Sequence, residues 1–362
     1  MHRSDPADIF PTGWTRLAEN RFSVSAHWPA VHPFFSPVTG DRHDPVLVAE
    51  TIRQSTMLLA HAEFGVPVED QFVMWGLHYT ADAETLAVDG LSSEVTLDVV
   101  CSDLDIRRGT LRGLRATTVL TRDGRHLATG GLQTRCTSAL AYRRIRGERM
   151  AMTGRSVPLI TGVAPRLVGR VDDKDVVLAP GTRPGQWQLR VNTVHPTLFR
   201  RPNDHVPGML LLEAARQAAT AALGGGACLP TDLDVSYTRY AELDSPCWIE
   251  AEVLPGSAPG RPPSRSPACR TGSPSSSVRS PLRPGPGGGR SRPRHPHDGL
   301  NRTETEPWGH AFSSPARPDS SAAGWRRRRR RGADRGRARA RTPARPRPAR
   351  PAARSGDGDR PG

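Results

Sequence analysis

The sequence predicts an α+β chain made of two copies of one unit, each a long central helix wrapped by an antiparallel sheet, followed by a tail that cannot fold. Three observations lead there. Slid against itself by 163 residues, the chain superposes His32 on His195, Pro33 on Pro196, Asp41 on Asp204, Leu47 on Leu210, Glu50 on Glu213, Arg53 on Arg216 and Gln54 on Gln217, seven identities in 23 gapless positions. After the first of these helices, alternating apolar and polar residues repeat in several short runs, the period of half-buried strands. From Ser257 onward there are 25 Arg, no Lys and 7 acidic residues, a balance of +18, so the first 256 residues carry 15 − 18 = −3. The basic charge of the chain therefore belongs to the tail and says nothing about the partners of the folded part.

In the first unit the extended run "NRFSVSAHW" leads to a loop holding His32 and Pro33, and a helix spans about Pro45 to Phe64. Asp44 is placed to cap its start, proline suits the first helical position, and Gly65 can take the left-handed conformation past its end. Then "QFVMWGLHYT", "SEVTLDVVCSD", "TLRGLRATTVLT" and "HLATGGLQTRCT" read as four strands, the last two joined by the two-residue turn of "RDGR". One long helix followed by an antiparallel meander is the element pattern of a hotdog fold, whose units pair. The second unit repeats it with "GQWQLRVNTV", a helix from about Pro207 to Leu223, and the strands "DLDVSYTRY" and "PCWIEAEVL". The expected organisation is a first hotdog unit over residues 1–148, a linker over 149–166, a second unit over 167–256 and a disordered low-complexity tail over 257–362.

The second unit thus stops two strands short of the first. Its replacement by Arg, Pro, Gly, Ala and Ser is what a shifted reading frame in GC-rich DNA produces, and the tail is expected to make no packed contact with the hotdog units. Five scattered cysteines, at 101, 136, 228, 247 and 269, form no metal-ligand pattern and read as free thiols. No signal peptide, membrane-spanning run, P-loop, GxGxxG before a helix or metal signature appears, so a soluble cytoplasmic protein without cofactor is expected.

On a helix, positions i, i+3 and i+4 share a face, so Glu50, Arg53 and Gln54 project together, as do Glu213, Arg216 and Gln217. Two readings are open: ion pairs that fix the packing of two central helices, or a pair of chemical sites. The second gains weight because the trio recurs in the same register, each time behind a His-Pro and an Asp.

The stretch "VPGMLLLEAARQ" resembles the MPG(V/L)LxxEAxxQ motif of the hotdog dehydratases of fatty acid synthesis, in which the helix carboxylate acts on an acyl thioester. A closer resemblance, over residues 1 to 256, is to the A-factor biosynthesis enzymes of actinomycetes, through "HRSDPADIFPTGW", "HDPVLVAETIRQ", "LLAHAEFGVP", "YRRIRGER", "DVVLAP" and "DHVPGMLLLEAARQAA". The resemblance implies a double hotdog that transfers a β-ketoacyl group from acyl carrier protein to the hydroxyl of dihydroxyacetone phosphate, on the way to a γ-butyrolactone autoregulator. Phe199 stands where the dehydratases have their catalytic His, which argues against dehydration.

Such a transfer needs a base, donors for the tetrahedral oxyanion and an anchor for phosphate. Glu50 or Glu213 can be the base, with burial raising its pKa toward neutrality. Arg53 or Arg216 offers a forked guanidinium for phosphate or oxyanion. Gln54, Gln217 and the amides near Gly208 can donate to a carbonyl. His32 and His195 divide evenly between turn-stabilising and substrate-binding roles, and Asp204 and His205 sit at the start of the second helix, near the expected site. His61, Trp75, Tyr79, Tyr237, Cys101, Cys136 and Cys247 read as packing or rim residues.

A thioesterase or dehydratase of the same fold is the nearest alternative, but neither hydrolysis nor elimination needs the phosphate anchor that an Arg on each helix supplies. From a different class, the six arginines Arg326 to Arg331 would bind any polyanion. No aromatic interleaving accompanies them, so a specific reader of nucleic acid is not expected, nor is a membrane partner; the order of oligomerisation stays open.

Overall fold

The computed structural model describes residues 6–35, 41–90, 92–225, 228–253 and the backbone of 268–271. Strands β1 (Pro11–Ala18) and β2 (Arg21–Pro29) precede helix α1 (Val46–Ala62), and β3 (Gln71–Ala81), β4 (Ser92–Arg107), β5 (Thr110–Arg122) and β6 (Arg125–Thr137) follow it. A short helix α2 (Ala139–Arg146) closes the first half. Then come β7 (Leu178–Pro180), β8 (Gln186–Leu189), α3 (Gly208–Ala222), β9 (Asp232–Ser236), β10 (Trp248–Glu252) and β11 (Ala268–Thr271). The four expected strands after α1 are all present, and both helices lie within a residue or two of their expected ends. Strand β1 and helix α2 were not expected.

All strand pairings are antiparallel, in two sheets ordered β1-β2-β4-β5-β6-β3-β9 and β11-β10-β8-β7. The "RDGR" turn has Asp123 at φ 51° and Gly124 at φ 73°, the left-handed pair that a two-residue hairpin requires. Helix α1 lies on the sheet through Ile52, Leu47, Leu59 and neighbours, all fully buried. The close approach needs glycine: a Cβ on Gly130 would meet the His78 carbonyl at 2.4 Å and Ile52 Cδ1 at 2.8 Å.

The second half repeats the pairings of the first. Strand β7 pairs with β8 as β1 does with β2, and β8 pairs with β10 as β2 does with β4. Strand β9, which follows α3 as β3 follows α1, pairs with β3 itself, His78 opposite Asp234. The two halves therefore share one sheet, tied further by the Tyr79 hydroxyl donating to the Pro230 carbonyl at 2.7 Å.

Strand β11 overturns one expectation about the tail. Residues 268–271 pair with β10, Ile249 opposite Thr271, in the place that β5 holds in the first half. One of the two strands expected to be absent is thus supplied from beyond Ser257, and among the described residues none takes the place of β6. Chain contacts separate Met1–Pro286 from Gly287–Gly362, and the latter, with its arginine run, lies outside the described residues. Among the described residues no helix is long and apolar enough to cross a membrane, a statement that does not bear on strands.

Candidate active site

Each trio closes on itself through its helical spacing. Glu50 accepts from Arg53 Nε at 2.8 Å and Nη2 at 2.7 Å, and from Gln54 Nε2 at 2.8 Å. Glu213 accepts from Arg216 Nε at 2.8 Å and Nη2 at 2.6 Å, and from Gln217 Nε2 at 2.6 Å. Both carboxylates are fully buried. In the second trio a further arginine, Arg170, donates to Glu213 at 2.9 Å, and its Nη1 reaches the Phe34 carbonyl at 2.8 Å while its guanidinium lies over the Phe34 ring. In the register described next, Arg3 matches Arg170, and it lies outside the described residues.

The glutamines and histidines bond to backbone in the same way in both halves. Gln54 accepts from the Phe10 amide at 3.0 Å and donates to the Asp8 carbonyl at 2.7 Å; Gln217 accepts from the Val177 amide at 2.9 Å and donates to the Asp175 carbonyl at 2.8 Å. The side chains of the same two aspartates face the histidines, with Asp8 3.2 Å from His32 Nε2 and Asp175 3.0 Å from His195 Nε2. Each histidine accepts two backbone N–H groups at Nδ1: Phe34 and Phe35 for His32, Thr197 and Leu198 for His195. Nδ1 therefore carries no proton, Nε2 holds it, and the ring pins its loop to the segment that also binds the glutamine. Each ring thus bonds its own turn, and both N–H groups of each glutamine are taken.

The expectation that burial raises the pKa of the base fails for Glu213. Burial alone would raise it, but Arg170, Arg216 and the bonds from Arg216 and Gln217 outweigh that and hold it down to about 2. A carboxylate so stabilised is a poor proton acceptor and a firm anchor for two guanidinium groups.

Asp204 and His205 are also occupied. Asp204 is buried and accepts from Arg146 Nε and from the Tyr142 hydroxyl at 2.8 Å, and Arg146 continues to Glu242 at 2.9 and 2.6 Å. His205 packs edge-on against Tyr240 and meets Asp204 at 3.1 Å. Burial works to raise the Asp204 pKa, yet the bonds from His205, Arg146 and Tyr142 hold it well below the usual range. The cluster ties α2 to the entry of α3. Gly208, the first residue of α3, accepts at its carbonyl from the Tyr237 hydroxyl at 3.0 Å.

The guanidinium nitrogens not spent on glutamate distinguish the trios. Arg53 Nη1 points to Met57 Sδ at 2.9 Å, its side chain is 18% exposed, and its charge reaches Tyr237 beside the start of α3. Arg216 is 1% exposed and its Nη1 is buried without a hydrogen-bond partner. Asp44, at the start of α1, lies near enough for its charge to act on Arg216. Its Oδ1 accepts the Val46 amide at 2.9 Å, fulfilling the expected cap, while its Oδ2 is buried and unpartnered. Burial raises the Asp44 pKa, and Arg216, Arg170 and the Val46 amide recover only part of that, against Glu213. Sequence reasoning gave Asp44 a capping role alone and missed Arg170, which the 163-residue offset places on Ala7.

Burial raises the thiol pKa of Cys101 to about 11, Cys136 to about 12 and Cys247 to about 11, in keeping with packing roles. Among the described residues no group of His, Cys, Asp and Glu could hold a metal ion.

The description "A-factor biosynthesis hotdog domain" matches residues 1–138 and 152–268. The chain is 49% identical over 260 residues to the 2-oxo-3-(phosphooxy)propyl 3-oxoalkanoate synthase of Streptomyces virginiae, covering 72% of this chain and 88% of that one. Against the synthase of the same name from Streptomyces griseus, identity is 47% over 256 residues, covering 71% and 85%. Among solved structures, the chain is similar to the 12:0-ACP thioesterase from Umbellularia californica, with 12% identity, a TM-score of 0.40, and coverage of 71% of this chain and 94% of that one. Both carboxylate trios fall within the matched segments, and the chain belongs to the A-factor biosynthesis hotdog family.

Proposed function

We propose that this protein is an acyltransferase that moves a β-ketoacyl (3-oxoacyl) group from a thioester on acyl carrier protein to the free hydroxyl of dihydroxyacetone phosphate. The product named for the Streptomyces relatives is that ester, a 3-oxoalkanoate of 2-oxo-3-(phosphooxy)propanol. Within the site, the observation that carries the reading is the convergence of Arg170 and Arg216 on one buried carboxylate, with Arg216 Nη1 left over. Hydrolysis and transfer both pass through a tetrahedral oxyanion, but only a phosphorylated acceptor brings a further anion for such an excess of cation to hold.

In this reading Glu213 and Glu50 are anchors that orient their arginines. Gln54, Gln217, His32 and His195 fasten each helix to the strand-leading segment of its own half. Asp204, His205 and Gly208 shape the start of α3. The tandem of two hotdog units supplies the pairing that one unit lacks, because β3 and β9 join and the arginine of each trio lies near the helix start of the other half. The test is to incubate the purified protein with a 3-oxoacyl thioester of acyl carrier protein and dihydroxyacetone phosphate and to follow both products by mass spectrometry. The ester is expected; free 3-oxo acid formed at the same rate with or without the acceptor would make it a thioesterase.

A further inference from the structure

We infer that, of the two repeated sites, acyl transfer takes place at the slot between Asp44 and Arg216, with Asp44 Oδ2 as the base that takes the proton of the acceptor hydroxyl and Arg216 Nη1 as the donor to the oxyanion. The inference rests on the acyl-transfer reading above and adds to it the base and the choice of site.

Two opposite charges buried near one another ordinarily close on each other, since a buried, unpartnered polar atom has lost its water and gained nothing in return. Here they do not. Asp44 uses one oxygen on the Val46 amide and Arg216 uses two nitrogens on Glu213, and each keeps one atom buried and without a hydrogen bond. The charge of each acts on the other, so the two orphaned atoms belong to neighbouring groups. Gly169, at φ 66°, lies beside the arginine, where a Cβ would stand 3.7 Å from Arg216 Nη1. An acceptor oxygen fits the demands of both atoms at once.

The other groups around Asp44 leave it as the acceptor of the proton. Glu213 and Arg170 flank Arg216 from the second half, and Glu213 is held ionised by both arginines. Tyr79 of β3 spends its hydroxyl proton on Pro230, and burial raises its pKa well above the ordinary value. Cys228 is likewise raised by burial. Among these groups Asp44 combines an unoccupied oxygen with a pKa that burial shifts upward, which makes its carboxylate the stronger proton acceptor.

The step balances. As the acceptor oxygen bonds to the thioester carbon, its proton passes to Asp44 Oδ2 and the carbonyl electron pair moves to the oxygen facing Arg216 Nη1. On collapse the C–S bond breaks and the thiolate takes the proton back from Asp44. Thioester and alcohol become ester and thiol, and the enzyme is unchanged.

The experiment begins with the wild-type protein and the ester assay; no ester from wild type would overturn the acyl-transfer reading itself. Given activity, Asp44→Asn keeps the cap on Val46 and should lower kcat at least a hundredfold with KM changed less than threefold. It should also remove an acidic limb from the kcat profile that the wild type shows above the ordinary carboxylate range. Asp44→Ser, which retains a capping oxygen, serves if the first variant does not fold. Should wild-type kcat be flat from pH 4 to 8, or should either folded variant keep more than a tenth of wild-type kcat, Asp44 is not the base.

Discussion

The two halves carry the same trio in the same register, and the trios differ in what stands beyond the glutamate. Arg53 lays its third nitrogen on Met57 and reaches solvent beside Tyr237 and the start of α3. Arg216 is sealed, its third nitrogen unspent, facing an aspartate at the start of α1. A duplicated motif therefore reproduces its own internal bonds faithfully, because these depend only on helical spacing. What differs is the helix start of the opposite half near each arginine, Asp44 for Arg216 and Gly208, through Tyr237, for Arg53.

The sharpest way to break this comparison is to remove the anchors. Glu213→Gln strands Arg170 and Arg216 in the interior and is expected to destabilise the fold by about 3–5 kcal/mol. Glu50→Gln leaves Arg53 a route to water and should cost less than half of that. Urea unfolding of the two variants side by side decides it, and equal losses would mean that the sites are electrostatically alike.

Replacing the arginines asks the same question of activity. Arg216→Lys keeps the charge but loses the forked geometry, and ester formation should fall by about a hundredfold or more. Arg53→Lys should lower it less than tenfold. A larger effect at Arg53 would move the chemistry to the first trio.

The shared part of the two sites should respond alike. Gln54→Leu and Gln217→Leu each leave a backbone amide and a carbonyl of the facing segment without partners, so each should lose about 1–3 kcal/mol. The two melting temperatures should drop by similar amounts, and unequal drops would show that the halves are not held together in the same way.

The last difference is in the pH dependence of stability. Glu213 has its folded pKa depressed from 4.5 to about 2, so its contribution is present above about pH 4.5 and is lost as pH falls toward 2. Asp44 has a raised folded pKa and works in the opposite sense, favouring the fold at low pH and losing that advantage as pH rises through its folded value. Urea midpoints should therefore fall between pH 4.5 and 2, and Glu213→Gln should flatten that slope.

The sequence by itself determined the repeat, the two helices to within a residue or two, the meander after α1 and the pairing inside each trio. All of these are local: hydrophobic period, turn residues such as Asp123 and Gly124, and the i, i+3, i+4 rule act within a few residues of chain. The resemblance of "VPGMLLLEAARQ" and its companion segments gave the family, which the matched segments and relatives show.

Tertiary structure decided what depends on residues far apart. It turned His32, His195, Gln54 and Gln217 into fasteners, because their partners Asp8, Phe10, Asp175 and Val177 come from segments whose contact no spacing reveals. It brought Arg170 to Glu213 and lowered a pKa that burial alone would have raised. It placed β9 of the second half on β3 of the first and drew residues 268–271 into a sheet despite their low-complexity surroundings. It set Asp44 before Arg216. Desolvation and Coulomb interaction depend on distance in space, and a one-dimensional pattern fixes that distance only for neighbours on the same helix or strand.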